Sequence, residues 1–124
     1  MFNVLAVFIG GGLGSLARYG IGRISLHLFG VAFPYGTLIV NVFSCVILGF
    51  TLGMTTSRTQ LDWSRSFIAV GFCGGFSTFS TFSMETFNLM KDGQWLYASG
   101  AIVLNLILCM LGIALGLYCA KNLI

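Results

Sequence analysis

Four long apolar stretches, at residues 2–17, 32–54, 66–84 and 96–120, contain no charged side chain and are joined by short polar connections. A helix needs roughly 20 predominantly apolar residues to cross a hydrocarbon core. The last three stretches meet that length, and the first reaches it by extending through Arg18 towards Gly22. The pattern predicts an all-α membrane protein of four transmembrane helices. Residues 1–124 form a single domain, because the connections leave no room for a soluble one. The start, Met1-Phe2-Asn3, lacks the basic residues of a secretory signal, so the first stretch is expected to remain as a span.

Polar residues inside the spans carry the next layer of information. Gly10, Gly14, Arg18 and Gly22 recur every four residues, hence along one helix face, where small residues allow close helix approach. Arg18 on that stripe either points into protein or snorkels from a helix end. Pro34 and Gly36 open the second span, since proline suits a first helical turn. Asn41 follows, with Ser44 and Cys45 on its face. A mid-span amide either hydrogen-bonds a neighbouring helix or lines a hydrated path. The fourth span is almost wholly apolar and reads as a packing helix, with Asn105 able to pair with a partner helix.

The third span is the unusual one. Gly74-Gly75-Phe76-Ser77-Thr78-Phe79-Ser80-Thr81-Phe82-Ser83 places glycines, hydroxyls and rings at mid-depth. Hydrocarbon tolerates loosened backbone only where protein or water covers it, so a broken third helix beside an ion site is expected here. Gly71 and Gly75 add a close-packing pair, and Phe76, Phe79 and Phe82 recur every three residues along a helix face. Tight packing with hydroxyls bonded back to their own helix accounts for the glycines. It accounts less well for the doubled hydroxyl–aromatic–hydroxyl unit. Glu85 follows within one turn, and intramembrane carboxylates tend to be functional unless they lie near a solvated helix end.

Composition agrees with the membrane reading: 57% of residues are hydrophobic and 7% charged, against about 25% charged in a soluble domain. Charge changes the picture more. Arg58, Arg65 and Lys121 fall on one side of a four-span chain, and Arg18, Arg23 and Lys91 on the other. That balance gives the positive-inside rule nothing to act on. Insertion in both orientations, and an antiparallel two-fold dimer of opposite copies, follow from it. If Arg18 is buried, a weak bias to one orientation remains instead. Thr56, Ser57, Arg58, Thr59, Gln60 and Asp62 make the most polar connection, where Asp62 caps the third span or pairs with Arg65. Lys91-Asp92-Gly93 forms the last turn. Trp63, Trp95 and Tyr97 suit interfacial anchoring, with Tyr97 also able to reach inward. Cys45, Cys73, Cys109 and Cys119 show no CxxC spacing and read as small apolar side chains in spans.

The donors on offer suit an anion. No carboxylate cluster supplies a cation-conducting ring, and four short helices enclose no wide pore, so the permeant species is small. The Asn41 amide and the Thr37, Ser80, Thr81 and Ser83 hydroxyls are neutral donors. Phe79 and Phe82 present ring edges, the positive end of the quadrupole. At a helix interruption, freed carbonyls can instead hold a hard cation such as Na⁺, which would brace a dimer rather than be transported.

Gly10-Gly11-Gly12-Leu13-Gly14-Ser15-Leu16-Ala17-Arg18-Tyr19, Gly36-Thr37-Leu38-Ile39-Val40-Asn41 and Gly71-Phe72-Cys73-Gly74-Gly75-Phe76-Ser77-Thr78-Phe79-Ser80-Thr81-Phe82-Ser83-Met84-Glu85 together resemble the small fluoride-channel family, Fluc or CrcB. They run through three of the four spans, and the third is the most specific. The resemblance implies a dual-topology homodimer with two fluoride pores and a broken third helix, in the bacterial inner (cytoplasmic) membrane. It implies Asn41 as the pore amide, Phe79 and Phe82 as facing aromatic lining, and Ser80, Thr81, Ser83 and Thr37 as a polar track. The carbonyls of Gly74 and Ser77, with Thr78 a further candidate, would hold a structural Na⁺ at the dimer centre. Arg18 would be a buried or vestibule arginine, and Glu85 matches the family's acidic position. The fourth span departs from the family pattern, placing Cys109 and Gly112 near positions where serine and threonine are common.

Two other classes compete. A four-helix multidrug exporter needs a carboxylate in its first span, and residues 2–17 contain none. A structural subunit would pass no ion. No nucleotide motif, nucleophile constellation or proton-carboxylate relay points to an enzyme or pump, and nothing points to a nucleic-acid partner.

Overall fold

A computed structural model describes residues 1–54 and 63–123 of the chain. The connection carrying Thr56, Ser57, Arg58, Thr59, Gln60 and Asp62, with any Asp62–Arg65 relation, lies outside the described residues. Those residues form helices α1 (Phe2–Phe29), α2 (Tyr35–Met54), α3 (Trp63–Arg65), α4 (Cys73–Phe76), α5 (Phe79–Lys91) and α6 (Trp95–Leu123). A wider-turned π-helical stretch, Ser66–Phe72, joins α3 to α4. Among the described residues there are four segments long and apolar enough to cross a membrane: α1, α2, Trp63–Lys91 as a whole, and α6.

Element ends differ from the charge-free stretches. α1 runs past Arg18 and Arg23 to Phe29, because arginine is a good helix former and no proline intervenes. Gly30, at φ 76°, ends it and donates its N–H to the Leu26 carbonyl at 3.0 Å. Pro34 stands just outside α2, its carbonyl accepting from Leu38 N–H at 3.3 Å. Within the third span, Ser77 (φ −78°, ψ 159°) and Thr78 (φ −152°, ψ 117°) take extended backbone between α4 and α5. That pair shifts the side-chain phase. Phe76 therefore does not share a face with Phe79 and Phe82; its buried ring stacks on Phe72, centroids 5.3 Å apart.

Small residues set the packing. The largest side chain that is fully buried is Val40; Ala98, Ala101 and Ala120 fill much of the rest of the core. Helix association in a bilayer rests on close contact and hydrogen bonds rather than on burial of large side chains. α1 lies against the third span, glycine to backbone. A Cβ on Gly10 would overlap the Phe67 carbonyl, one on Gly14 the Phe72 carbonyl, and one on Gly75 the Gly11 carbonyl.

The most extensive helix pair, α2 with α6, is parallel and in constant register. Asn41 meets Asn105, 64 residues on. The same offset sets Gly49 against Ile113, and Gly53 against Leu117.

Gly14→Ala is expected to lower stability by about 1–3 kcal/mol, the range for overpacking a tight contact, read as a lower unfolding midpoint in detergent. Gly12→Ala, where a Cβ meets nothing within 4 Å, should leave the midpoint unchanged. Equal midpoints for the two variants would contradict this packing.

Candidate functional site

The interruption of the third span is held by one side chain. In a continued helix the Thr78 N–H would close on the Gly74 carbonyl four residues back. Here it donates to Asn41 Oδ1 at 2.8 Å, and the Thr78 carbonyl accepts from Asn41 Nδ2 at 3.3 Å. Nδ2 also donates to Asn105 Oδ1 at 3.1 Å, and Asn105 Nδ2 donates to the Ala101 carbonyl at 2.8 Å. One amide thus ties α2, the extended pair and α6 together. Asn105, read from sequence as a residue of a packing helix, is the part of this cluster that sequence reasoning underweighted. A solitary amide in each of two spans was the available signal.

Each new helix end gains local partners. The carbonyl of Cys73, the first residue of the four-residue α4, accepts from Ser77 N–H at 3.0 Å, Ser77 Oγ at 2.7 Å and Ser44 Oγ at 3.1 Å. Thr78 is the N-cap of α5: its Oγ1 accepts from Thr81 N–H at 3.2 Å. Threonine in the β region is a favoured cap because its oxygen meets an otherwise orphaned donor. Its hydroxyl also donates to Thr81 Oγ1 at 3.0 Å and lies 3.5 Å from Ser80 Oγ. Thr78, Ser80 and Thr81 therefore form a connected hydroxyl cluster at the start of α5.

The residues singled out from sequence divide into three groups. Thr37, Thr81, Glu85 and Arg18 line a cavity of about 580 Å³ between the second half of α1, the start of α2 and α5. Arg23 and Asp92 also reach it. Thr37 and Glu85 face the same cavity, and Glu85 Oε2 is buried without a hydrogen-bond partner. The second group faces away from the chain. Phe79 is 79% exposed, and Ser80 and Ser83 are exposed on the same helix. The half-buried Phe82 ring lies 5.8 Å from Phe79 at 45°. The third group is Asn41 with the interruption itself, between the other two. A single chain does not bring all seven predicted pore residues to one lining.

The interruption also bears on cation chemistry. With Thr78 N–H committed to Asn41, the Gly74 carbonyl loses its helical donor, and the space a Cβ on Gly74 would occupy is open to at least 4 Å. Ser77 carries the next extended backbone position. The Thr78 carbonyl is already engaged by Asn41. Gly74 and Ser77 oxygens thus suit a hard cation better than Thr78 does.

Asn41→Ala is expected to destabilise the fold by about 1–3 kcal/mol for each buried Thr78 backbone group left unpaired. Asn105→Ala should cost less, since it leaves both Thr78 bonds in place. A double-mutant cycle on unfolding in detergent should return a coupling of about 0.5–3 kcal/mol; strict additivity would deny that the two amides act together.

Comparison with known proteins gives a consistent result. The model of the family described as CrcB-like protein, Camphor Resistance (CrcB), matches residues 5–117. The fluoride-specific ion channel FluC of Coxiella burnetii is 42% identical over 125 residues, covering 98% of this chain and 99% of its own. That of Chloroflexus aurantiacus is 40% identical over 121 residues, covering 94% and 96%. FluC 1 of Yersinia pseudotuberculosis is 46% identical over 108 residues, covering 85% and 84%.

Proposed function

The chain belongs to the CrcB-like family, and from that membership we propose that it is a fluoride-selective channel that lets F⁻ leave the cell passively. Its relatives of nearly equal length are named fluoride-specific ion channels, and the chain is a multi-pass membrane protein with four spans. The observation that carries the reading is the outward face of α5. Phe79, Ser80 and Ser83 are exposed together in a segment that would otherwise face lipid. The hydroxyls there gain nothing from hydrocarbon, and together with the ring edges they suit an anion if a second copy covers them.

The active form in this reading is an antiparallel dual-topology homodimer in the bacterial inner membrane. The third span is then a broken helix whose two interruptions meet at the two-fold axis. The carbonyls of Gly74 and Ser77 would hold a structural Na⁺ there, which supplies fixed positive charge between the copies. The balanced distribution of basic residues supports insertion in both senses.

Fluoride must exchange a dense hydration shell for protein donors. The cavity lined by Arg18 and Arg23, with Glu85 and Asp92 in the same wall, supplies the first step, a polar entry of mixed charge. Thr37 and Thr81 in its wall offer hydroxyls. The Glu85 carboxyl lies in the same wall, where its charge weakens the hold of the track on an anion. Beyond it, Ser80, Ser83 and the rims of Phe79 and Phe82 continue the path without a fixed charge. Binding stays weak enough for release. The Asn41 amide stands between the two stretches, but its N–H groups are engaged by Thr78 and Asn105. An ion taking a bond from it does so in exchange for one of these.

The driving force needs no coupled reaction. Neutral hydrofluoric acid crosses into a less acidic interior, ionises and is trapped. A potential of 100 mV, negative inside, then favours exit of a monovalent anion by about 2.3 kcal/mol.

Purified protein in liposomes under a potassium gradient should release fluoride to an electrode while retaining chloride. Phe82→Ile should abolish the efflux with dimer assembly intact. Release of nothing at all would favour a structural subunit, and unimpaired efflux by the variant would remove the phenylalanine rims from the path.

A further inference from the structure

The α2–α6 register places two thiols opposite each other in the layer next to the Asn41–Asn105 pair. Cys45 and Cys109 lie one turn beyond Asn41 and Asn105 and share their 64-residue offset. One turn further, Gly49 lies in backbone contact with Ile113. The helices are therefore close on both sides of the cysteine layer. A Cβ on Gly112 would stand 3.4 Å from Cys45 Cβ, again placing this part of α6 directly on Cys45. Both thiols are free and half-buried rather than sealed in the core.

We propose that Cys45 and Cys109 form a two-sulfur site for a thiophilic metal ion of linear coordination, such as Hg²⁺, Ag⁺ or Cu⁺, clamping α2 to α6. Thiolate sulfur selects soft ions. A closed tetrahedral zinc site needs four ligands, and no group of three or more His, Cys, Asp or Glu side chains gathers among the described residues. Two sulfurs across one close helix contact match a two-coordinate ion instead. Binding is a ligand exchange: each sulfur releases its proton and forms one metal–sulfur bond, so one divalent ion liberates two protons and no oxidant is consumed. Cys73 is not a partner in this pair. Its buried thiol donates to the Ser44 carbonyl, 3.6 Å away.

The test uses the full chain in detergent and Hg²⁺ alone. One equivalent per chain should remove two titratable thiols and produce a near-ultraviolet thiolate-to-mercury absorption band. Cys45→Ser and Cys109→Ser, each eluting like the unsubstituted protein, should lose the band and bind the first equivalent at least tenfold more weakly. Cys119→Ser should leave both unchanged. A band that survives in either of the first two variants, or a first equivalent that consumes a single thiol, overturns the site. Should either variant fail to fold, differential alkylation of the unsubstituted protein decides: protection of Cys45 and Cys109 together supports the site, and any other protected set refutes it.

Discussion

Inside a bilayer a helix can be interrupted only where other protein groups stand in for the missing turn. In this chain one side chain stands in. The Asn41 amide accepts the Thr78 N–H and donates to the Thr78 carbonyl, so an extended residue is paired as fully as a helical one. Its remaining donor hydrogen goes to Asn105. The hydroxyl cap on α5, the threefold-occupied Cys73 carbonyl and the orientation of Phe79 away from Phe76 all depend on Thr78 staying in that conformation. The same interaction divides the span into a tightly packed half against α1 and a half whose outer face is open.

That division rests on two different kinds of helix contact. α1 meets the third span through glycines that bring backbone against backbone, a contact with no side chain to rearrange. α2 meets α6 through paired positions repeated every four residues, amides first, then thiols, then a glycine. The first contact holds the part of the chain before the interruption, and the second anchors the amides that stabilise it. α5 lies outside both. It is the segment whose surface carries the hydroxyls and rings of the proposed ion path, and the cavity lies behind it.

Much of this was legible in the sequence, for physical reasons that can be named. Charge is so costly in hydrocarbon that four charge-free stretches mark four spans without further argument. The glycine spacing in α1 and the third span follows from helical periodicity, and the structure uses Gly10, Gly14 and Gly75 for close approach. Helix ends were less legible, because Arg18 and Arg23 end an apolar stretch but favour the helix that carries them. The three-residue phenylalanine repeat misled at Phe76, since two extended residues reset the helical phase between it and Phe79. That Asn41 and Asn105 each seek a partner helix was legible, but not that they are each other's partner. Their pairing depends on which span lies beside which, and in what register, a property of the whole bundle.

The register between α2 and α6 also orders events during synthesis. The amide on α2 emerges from the ribosome long before its partner on α6, at elongation rates of about 5–20 residues per second. Asn41 and Thr78 are both synthesised before Asn105, so the α2 amide and the backbone it pairs with precede the α6 amide in the chain. The Asn105 contact is thus the last of the cluster that the order of synthesis permits, a closing member of a turn whose other partners are made earlier.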